Sequence, residues 1–148
     1  MEIVKAEEKD ISAVLKISKE QFKEFGWAPD FFEEELKKEN HYFYVCKIGD
    51  EVVGFINFMQ TEGENGLDFN ILNVATSSEF KNQGVATRLI NFVFDLATKK
   101  NFNTVWLEVR EHNFPAICLY EKLNFKKLYV RKNYYSNGDN AIIYSAQL

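Results

Sequence analysis

The segment Val74-Ala75-Thr76-Ser77-Ser78-Glu79-Phe80-Lys81-Asn82-Gln83-Gly84-Val85-Ala86-Thr87-Arg88-Leu89 constrains this chain more than any other. It reads as the end of a strand, a short polar turn, and a glycine that opens an apolar helix. The first N–H groups of a helix have no partner within it. Together with the positive end of the helix dipole they make a site for a phosphate-type anion. No Gly-Lys-Ser/Thr follows the first glycine, so the loop is not of the Walker type, and one glycine is too few for the dinucleotide type. Taken alone, a one-glycine turn between strand and helix is a common arrangement.

Hydrophobic spacing and turn residues order the rest of the chain. Residues 2–5 read as a first strand. Asp10 is placed to cap a helix whose apolar face is Ile11, Val14, Leu15, Phe22 and Phe25, broken at Gly26-Trp27-Ala28-Pro29. Asp30-Phe31-Phe32-Glu33 reads as a capping-box variant opening a second, acidic helix toward Asn40. Strands at 42–48, 51–60 and 67–76 are separated by the turns Gly49-Asp50 and Gly63-Glu64-Asn65-Gly66. A helix follows over about 84–100, with Val85, Leu89, Phe92, Val93 and Leu96 on one side. Residues 104–109 are β-branched and apolar and read as a buried strand. Asn113 caps a helix with Pro115 in its first turn, and Asn124 suits its left-handed stop. Residues 126–134, the turn Ser136-Asn137-Gly138-Asp139 and residues 141–147 form a closing hairpin. The order βααβββαβαββ predicts an α/β fold: a central mixed β-sheet flanked by helices, with an antiparallel meander and a parallel crossover, in a single domain over 1–148.

Bulk properties narrow the function. The chain has 148 residues, enough for a real core, and its 46% hydrophobic and 16% aromatic content argues against disorder. A formal net charge of -4 argues against general nucleic-acid binding. The two cysteines, Cys46 and Cys118, lie far apart in apolar runs and read as small buried thiols of a reducing compartment. No CxxC or His/Cys cluster suggests a metal. The N-terminus is too charged for a signal peptide, and no apolar run approaches membrane-spanning length, so a cytoplasmic protein without membrane partner is expected.

Further motifs follow the anion loop in order: Trp106-Leu107-Glu108-Val109-Arg110-Glu111-His112-Asn113, then Ala116-Ile117-Cys118-Leu119-Tyr120-Glu121-Lys122-Leu123-Asn124-Phe125, Arg131-Lys132-Asn133-Tyr134-Tyr135, and Asp139-Asn140-Ala141-Ile142-Ile143-Tyr144. Lys81-x-x-Gly84-x-Ala86 resembles the Gln/Arg-x-x-Gly-x-Gly/Ala loop with which GCN5-related N-acetyltransferases (the GNAT superfamily) hold the pyrophosphate of acetyl-CoA. The series as a whole resembles the ribosomal-protein-alanine N-acetyltransferase (RimI-like) branch, whose pattern reads W-L-E-V-R-x-x-N, A-I-x-L-Y-E-x-L-G-F, R-x-N-Y-Y and E-D-A-I-I-M. The likeness is strong over residues 67–145, whereas the first two helices match only in layout.

The resemblance implies acetyl transfer from acetyl-CoA, without a metal, to the N-terminal α-amine of a protein or peptide, a ribosomal protein starting with alanine being the acceptor it points to. Such a transfer needs a neutral amine, a polarised carbonyl and a proton for the departing thiolate. On an alternating strand, Glu108 shares a face with Trp106 and Arg110. Read from the residues alone it is also a solvated carboxylate paired with Arg110; the resemblance makes it the general base, acting through water. The task is modest for an α-amine, whose pKa is about 7.7–8.0 against ~10.4 for lysine. Tyr120 follows Asn113 by about two helical turns, roughly on one face. Spacing makes it a core aromatic beside Ile117, Leu119 and Leu123, while the resemblance makes it the general acid for the CoA thiolate. Asn113 is a helix cap and, by resemblance, a partner of the pantetheine arm. Asn73-Val74-Ala75-Thr76 matches the family segment that offers backbone groups to pantetheine. Lys81, Asn82, Gln83, Gly84, Val85, Ala86 and Thr87 correspond to the pyrophosphate loop. Tyr134 and Tyr135 correspond to a pair that helps hold the substrate peptide, with Trp27 and Phe31 expected on the opposite wall.

Several positions depart from the family pattern. Lys81 keeps positive charge near the pyrophosphate, Ala86 is an allowed variant, and Asn124 replaces glycine at the helix stop. Asp139-Asn140 replaces Glu-Asp and leaves one carboxylate fewer, which bears on acceptor specificity. His112 and His41 carry no catalytic signal. Two other readings stay open: an acetyltransferase for a small amine or a lysine side chain, and a non-catalytic acyl-CoA-binding sensor.

Overall fold

The computed structural model describes residues 1–23 and 27–148; Phe25 and Gly26, assigned above to the first helix and its break, lie outside the described residues. Strands β1 (Glu2–Lys5), β2 (His41–Ile48), β3 (Glu51–Gly63), β4 (Gly66–Thr76), β5 (Thr104–Arg110), β6 (Lys126–Arg131) and β7 (Ala141–Gln147) form one mixed sheet in the order β1-β2-β3-β4-β5-β7-β6. Helices α1 (Ile11–Phe22), α2 (Pro29–Glu35), α3 (Val85–Lys99) and α4 (Phe114–Lys122) flank it. Along the expected meander β2 pairs antiparallel with β3, and β4 lies next to β3; β1 adds to the other side of β2, also antiparallel. The crossover is present too: α3 links β4 to a parallel β5. The closing hairpin folds back so that β7, not β6, pairs with β5.

The chain divides into two compact units, the first comprising Met1–Met59 and Leu72–Phe92. Its core gathers Ile11, Val14 and Ile17 of α1, Phe32 of α2, Phe43 and Val45 of β2, Phe55 of β3 and Ala75 of β4. Phe32 meets Phe55 edge to face at 5.3 Å, a favoured aromatic geometry. Gly54 lets the start of α3 approach β3: a Cβ there would lie 2.6 Å from Val85 Cγ1 and 2.9 Å from the Ala75 carbonyl oxygen. Two expected caps differ. Asp10 makes no cap bond to α1; its buried carboxylate accepts from the Glu7 N–H at 2.9 Å and pairs with Lys47 Nζ at 3.1 Å. A buried acid is drawn to a cation first. Helix α2 opens on Ala28-Pro29 without a side-chain cap, because proline at the first helical position has no N–H to satisfy, and it stops at Glu35 rather than running to Asn40.

The second unit comprises Gln60–Ile71 and Val93–Leu148. Val105, Leu107 and Val109 of β5 are buried and alternate with half-exposed Trp106, Glu108 and Arg110. Phe69 and Phe102 rings lie 4.8 Å apart beside them. The Trp106 indole N–H donates to Thr61 Oγ1 at 3.1 Å. Asn113 caps α4, its side chain accepting from the Ala116 N–H at 3.3 Å, and Asn124 takes the left-handed stop with φ 69°. The two thiols do not share the buried environment expected of them: Cys46 is buried, which raises its pKa, but Cys118 lies on the outer side of α4 and is exposed. Among the described residues no helix is long and apolar enough to cross a membrane.

Candidate active site

In the first unit the strand–loop–helix is built as the sequence suggests. The Ser77 N–H donates to the Val53 carbonyl at 2.8 Å, pinning the loop to β3, and Ser78–Phe80 make one 3-10 turn. Asn82 (φ 64°) and Gly84 (φ 82°) then turn the backbone through the left-handed region. The Arg88 N–H donates to the Gly84 carbonyl at 3.0 Å, which starts α3. Lys81, Asn82, Gln83 and Gly84 are exposed, Ala86 and Thr87 half-buried, and Val85 buried against the body of the unit. A Cβ on Gly84 would meet nothing within 4 Å, so this cradle is open on the glycine side. An open loop at a helix start, with Lys81 beside it, fits a diphosphate. On β4, Val74 and Thr76 are half-buried while Ala75 and Asn73 face the interior.

The same unit holds Trp27 and Phe31 together, their rings stacked at 4.2 Å and 13°. The Trp27 indole N–H donates to the Asn73 side-chain oxygen. Behind it, Asn73 Nδ2 donates to Asn57 Oδ1 at 2.9 Å, and Asn57 Nδ2 to Glu35 Oε1 at 3.4 Å. Glu35 Oε2 lies 2.5 Å from His41 Nδ1. Sequence reasoning assigned no role to Glu35, Asn57 or His41. The available signals were an asparagine inside the apolar run Val52-Val53-Gly54-Phe55-Ile56-Asn57-Phe58 and one acid of three turned inward at the end of α2.

In the second unit Glu108 pairs with Arg131, not with Arg110. Arg131 Nη1 lies 2.9 Å from Glu108 Oε1. Arg110 is engaged elsewhere: its guanidinium sits 3.5 Å from the centroid of the Tyr135 ring and 3.6 Å from Asp139 Oδ2. The Glu108 carboxylate beside the Tyr134 hydroxyl raises its pKa, with burial adding to it, against the opposing pull of Arg131. Tyr134 and Tyr135 meet edge to face at 5.1 Å. The structure thus brings Glu108, Arg131 and the tyrosine pair into one cluster.

Tyr120 is 8% exposed and packs edge to face with Phe125 at 5.7 Å. Burial, with the neighbouring Tyr135 adding to it, pushes its pKa up to about 12. It therefore stays protonated across the neutral range. Its proton is held more tightly than that of a free alkyl thiol, ~8.5. Full transfer to a free thiolate is uphill at that value, so the hydroxyl meets a departing sulfur first as a hydrogen-bond donor, and solvent drives the proton balance. Below the tyrosine pair, Asn140 Nδ2 donates to Glu111 Oε2 at 2.9 Å and Asn140 Oδ1 accepts from the Asn133 N–H at 2.9 Å. An aspartate at this position would set two carboxylates against each other, which accounts for the departure from Glu-Asp. Glu111, His112 and Asp139 present ligand-type atoms within 4.8 Å of one another, but both carboxylates already serve turn contacts, Glu111 accepting from the Asn140 N–H and Asp139 from Asn137 Nδ2.

Residues 11–125 match the model of the acetyltransferase (GNAT) family, and the chain belongs to that family. It is an acetyl-CoA-dependent acetyltransferase. Among its relatives is an N-alpha-acetyltransferase of Saccharolobus solfataricus, 33% identical over 94% of this chain and 88% of that protein. The [ribosomal protein bS18]-alanine N-acetyltransferase of Escherichia coli is 38% identical over 47% of each chain. Among solved structures, Ard1 from Thermoplasma volcanium superposes with a TM-score of 0.87 at 28% identity, over 99% of this chain and 97% of that one. The ribosomal-protein-S18-alanine N-acetyltransferase from Escherichia coli gives 0.83 at 26% identity, over 99% and 92%.

Proposed function

We propose that this protein transfers the acetyl group of acetyl-CoA to the N-terminal α-amine of a protein, with an alanine-starting ribosomal protein as the acceptor class and the cytoplasm as the place of action. The observation that carries this reading is the cluster of Glu108 with Tyr134, Tyr135 and Arg131: a carboxylate on the open face of β5, bordered by an anchored aromatic pair. The names of the relatives support the same acceptor class. Lys81, Asn82, Gln83, Gly84, Val85, Ala86 and Thr87 hold the pyrophosphate, and the backbone of Val74, Ala75 and Thr76, with Asn113, holds the pantetheine arm. Trp27, Phe31, Tyr134 and Tyr135 contact the acceptor peptide.

Glu108 takes a proton from the ammonium through water, the amine nitrogen forms a bond to the thioester carbonyl carbon, and its second proton leaves to solvent by the same route as Glu108 releases the first. The C–S bond breaks as Tyr120 delivers its proton to the sulfur, and Tyr120 is restored from solvent. The products are an acetylated amine and a free thiol. The test is a panel of peptides offered with acetyl-CoA, scored by thiol release and peptide mass. An Ala-starting peptide is expected to outperform the same peptide with a blocked α-amine and an internal lysine. Transfer to the lysine and none to the α-amine overturns this reading in favour of a side-chain or small-amine acceptor.

A further inference from the structure

Trp27, Asn73, Asn57 and Glu35 form a line of hydrogen bonds in which every donor points the same way. The indole N–H donates to Asn73, Asn73 donates to Asn57, and Asn57 donates to Glu35. The interior members are sealed from water: Glu35 is 3%, Asn57 1% and Asn73 8% exposed. An ionised carboxylate only accepts and an indole N–H only donates, whereas a side-chain amide does both. The two ends therefore dictate how both amides turn. With Glu35 at one end, Asn57 directs its nitrogen there and its oxygen to Asn73; Asn73 then has an oxygen left for Trp27. His41 occupies the second Glu35 oxygen and fixes the carboxylate. In a low-dielectric interior such aligned dipoles strengthen one another.

Trp27 is the exposed end of this line, 44% accessible and stacked on Phe31 by one face. We infer that Glu35 is a positioning residue for acceptor selection: through Asn57 and Asn73 it locks the orientation of Trp27, the surface met by the first residues of the acceptor. This rests on the α-amine reading above.

The sense of the line can be reversed. Asn73→Asp puts a second acceptor-only group in the chain, so the new carboxylate and Glu35 compete for the one amide nitrogen of Asn57. Adding Glu35→Gln restores a consistent line: the amide introduced by that change donates to the Asn57 oxygen, and Asn57 and Trp27 both donate to the carboxylate introduced by Asn73→Asp. Asn73→Asp is expected to raise the KM for an Ala-starting peptide by about tenfold. The KM for acetyl-CoA stays within about twofold, and the double variant returns the peptide KM to that of the unmodified protein. A Trp106→Phe background, used for fluorescence only, leaves Trp27 as the sole indole. Acrylamide quenching should rise with Asn73→Asp and fall back in the double variant. A peptide KM unmoved by Asn73→Asp, or not recovered by Glu35→Gln in that background, overturns the inference. An unmodified protein with no peptide turnover overturns the α-amine reading and the acceptor role with it, and the quenching series still reports the polarity of the line.

Discussion

Arg131, the last residue of β6, reaches across the intervening strand β7 to hold Glu108 of β5 in a 2.9 Å ion pair. The pair is partly open, with side-chain exposures of 40% for Arg131 and 22% for Glu108. Solvent screening limits its worth to stability to about 0–1 kcal/mol. Arg131→Met should therefore barely move the thermal midpoint. It leaves one carboxylate oxygen unanchored, so kcat should fall by roughly ten- to a hundredfold, as misplacement of a catalytic group does. Steady-state kinetics beside a melting curve check this; equal loss of stability and activity would count against it.

Replacing Glu108 by glutamine keeps its shape and removes the base. Turnover at pH 7 should drop by about 10²–10⁴-fold. Raising the pH toward 9 deprotonates an α-amine of pKa about 7.7–8.0 without help, so the ratio of unmodified to variant rate should shrink. A constant ratio from pH 7 to 9 removes Glu108 from proton transfer.

Tyr120→Phe loses a hydroxyl and little volume, so turnover should fall by about 10²–10⁴-fold while CoA affinity holds. It also has a stability signature. Tyr120 ionises near 10 in the unfolded chain and is pushed to about 12 in the folded one. The folded state then binds the extra proton between those values. Its contribution, on the order of 3 kcal/mol, is complete below pH 10 and is lost as the pH rises through 12. Denaturant midpoints measured from pH 9 to 12 should decline less steeply in Tyr120→Phe.

Gly54→Ala forces a methyl against Val85 Cγ1 at 2.6 Å and the Ala75 carbonyl at 2.9 Å. Overpacking of this kind costs about 1–3 kcal/mol. Because Ala75 and Val85 belong to the segments assigned to acetyl-CoA, affinity for the cofactor should fall as well. Val85→Ala in the same protein should recover part of both losses, seen by titration calorimetry and melting.

Gly84 fails differently. Space for a side chain exists, yet its φ of 82° suits glycine and, next best, asparagine. Gly84→Asn should fold and bind acetyl-CoA better than Gly84→Val does. Equal binding by both would show that the loop does not approach a ligand closely.

What is legible in the sequence is local. The strand, one-glycine loop and helix follow from neighbouring residues, and so does the alternation that sets Glu108 with Trp106 and Arg110 on the open face. The partner of Glu108 is not legible, because β6 reaches its place through pairing with β7, and a register shift between Lys127 and Tyr129 resets which β6 side chains line up, across β7, with Glu108. Arg110, closer in sequence, is taken by Tyr135 and Asp139. Asn57 looks like one polar residue in a strand, and only the register that sets it opposite Phe43 of β2 turns it inward toward Glu35. Asp10 reads as a cap in sequence because its true partner, Lys47, arrives from a distant strand.

The Glu111–Asn140 clamp closes the base of the turn formed by Ser136, Asn137, Gly138 and Asp139. Three of those four turn residues are exposed. Asp139 ties the turn to the strand that carries Glu108, through Arg110 at 3.6 Å, while Ser136, Asn137 and Gly138 lie beyond that tie. A chain built this way can vary three exposed residues over a fixed base, and a protein engineer can recast Ser136, Asn137 and Gly138 provided that Asp139 and Asn140 stay.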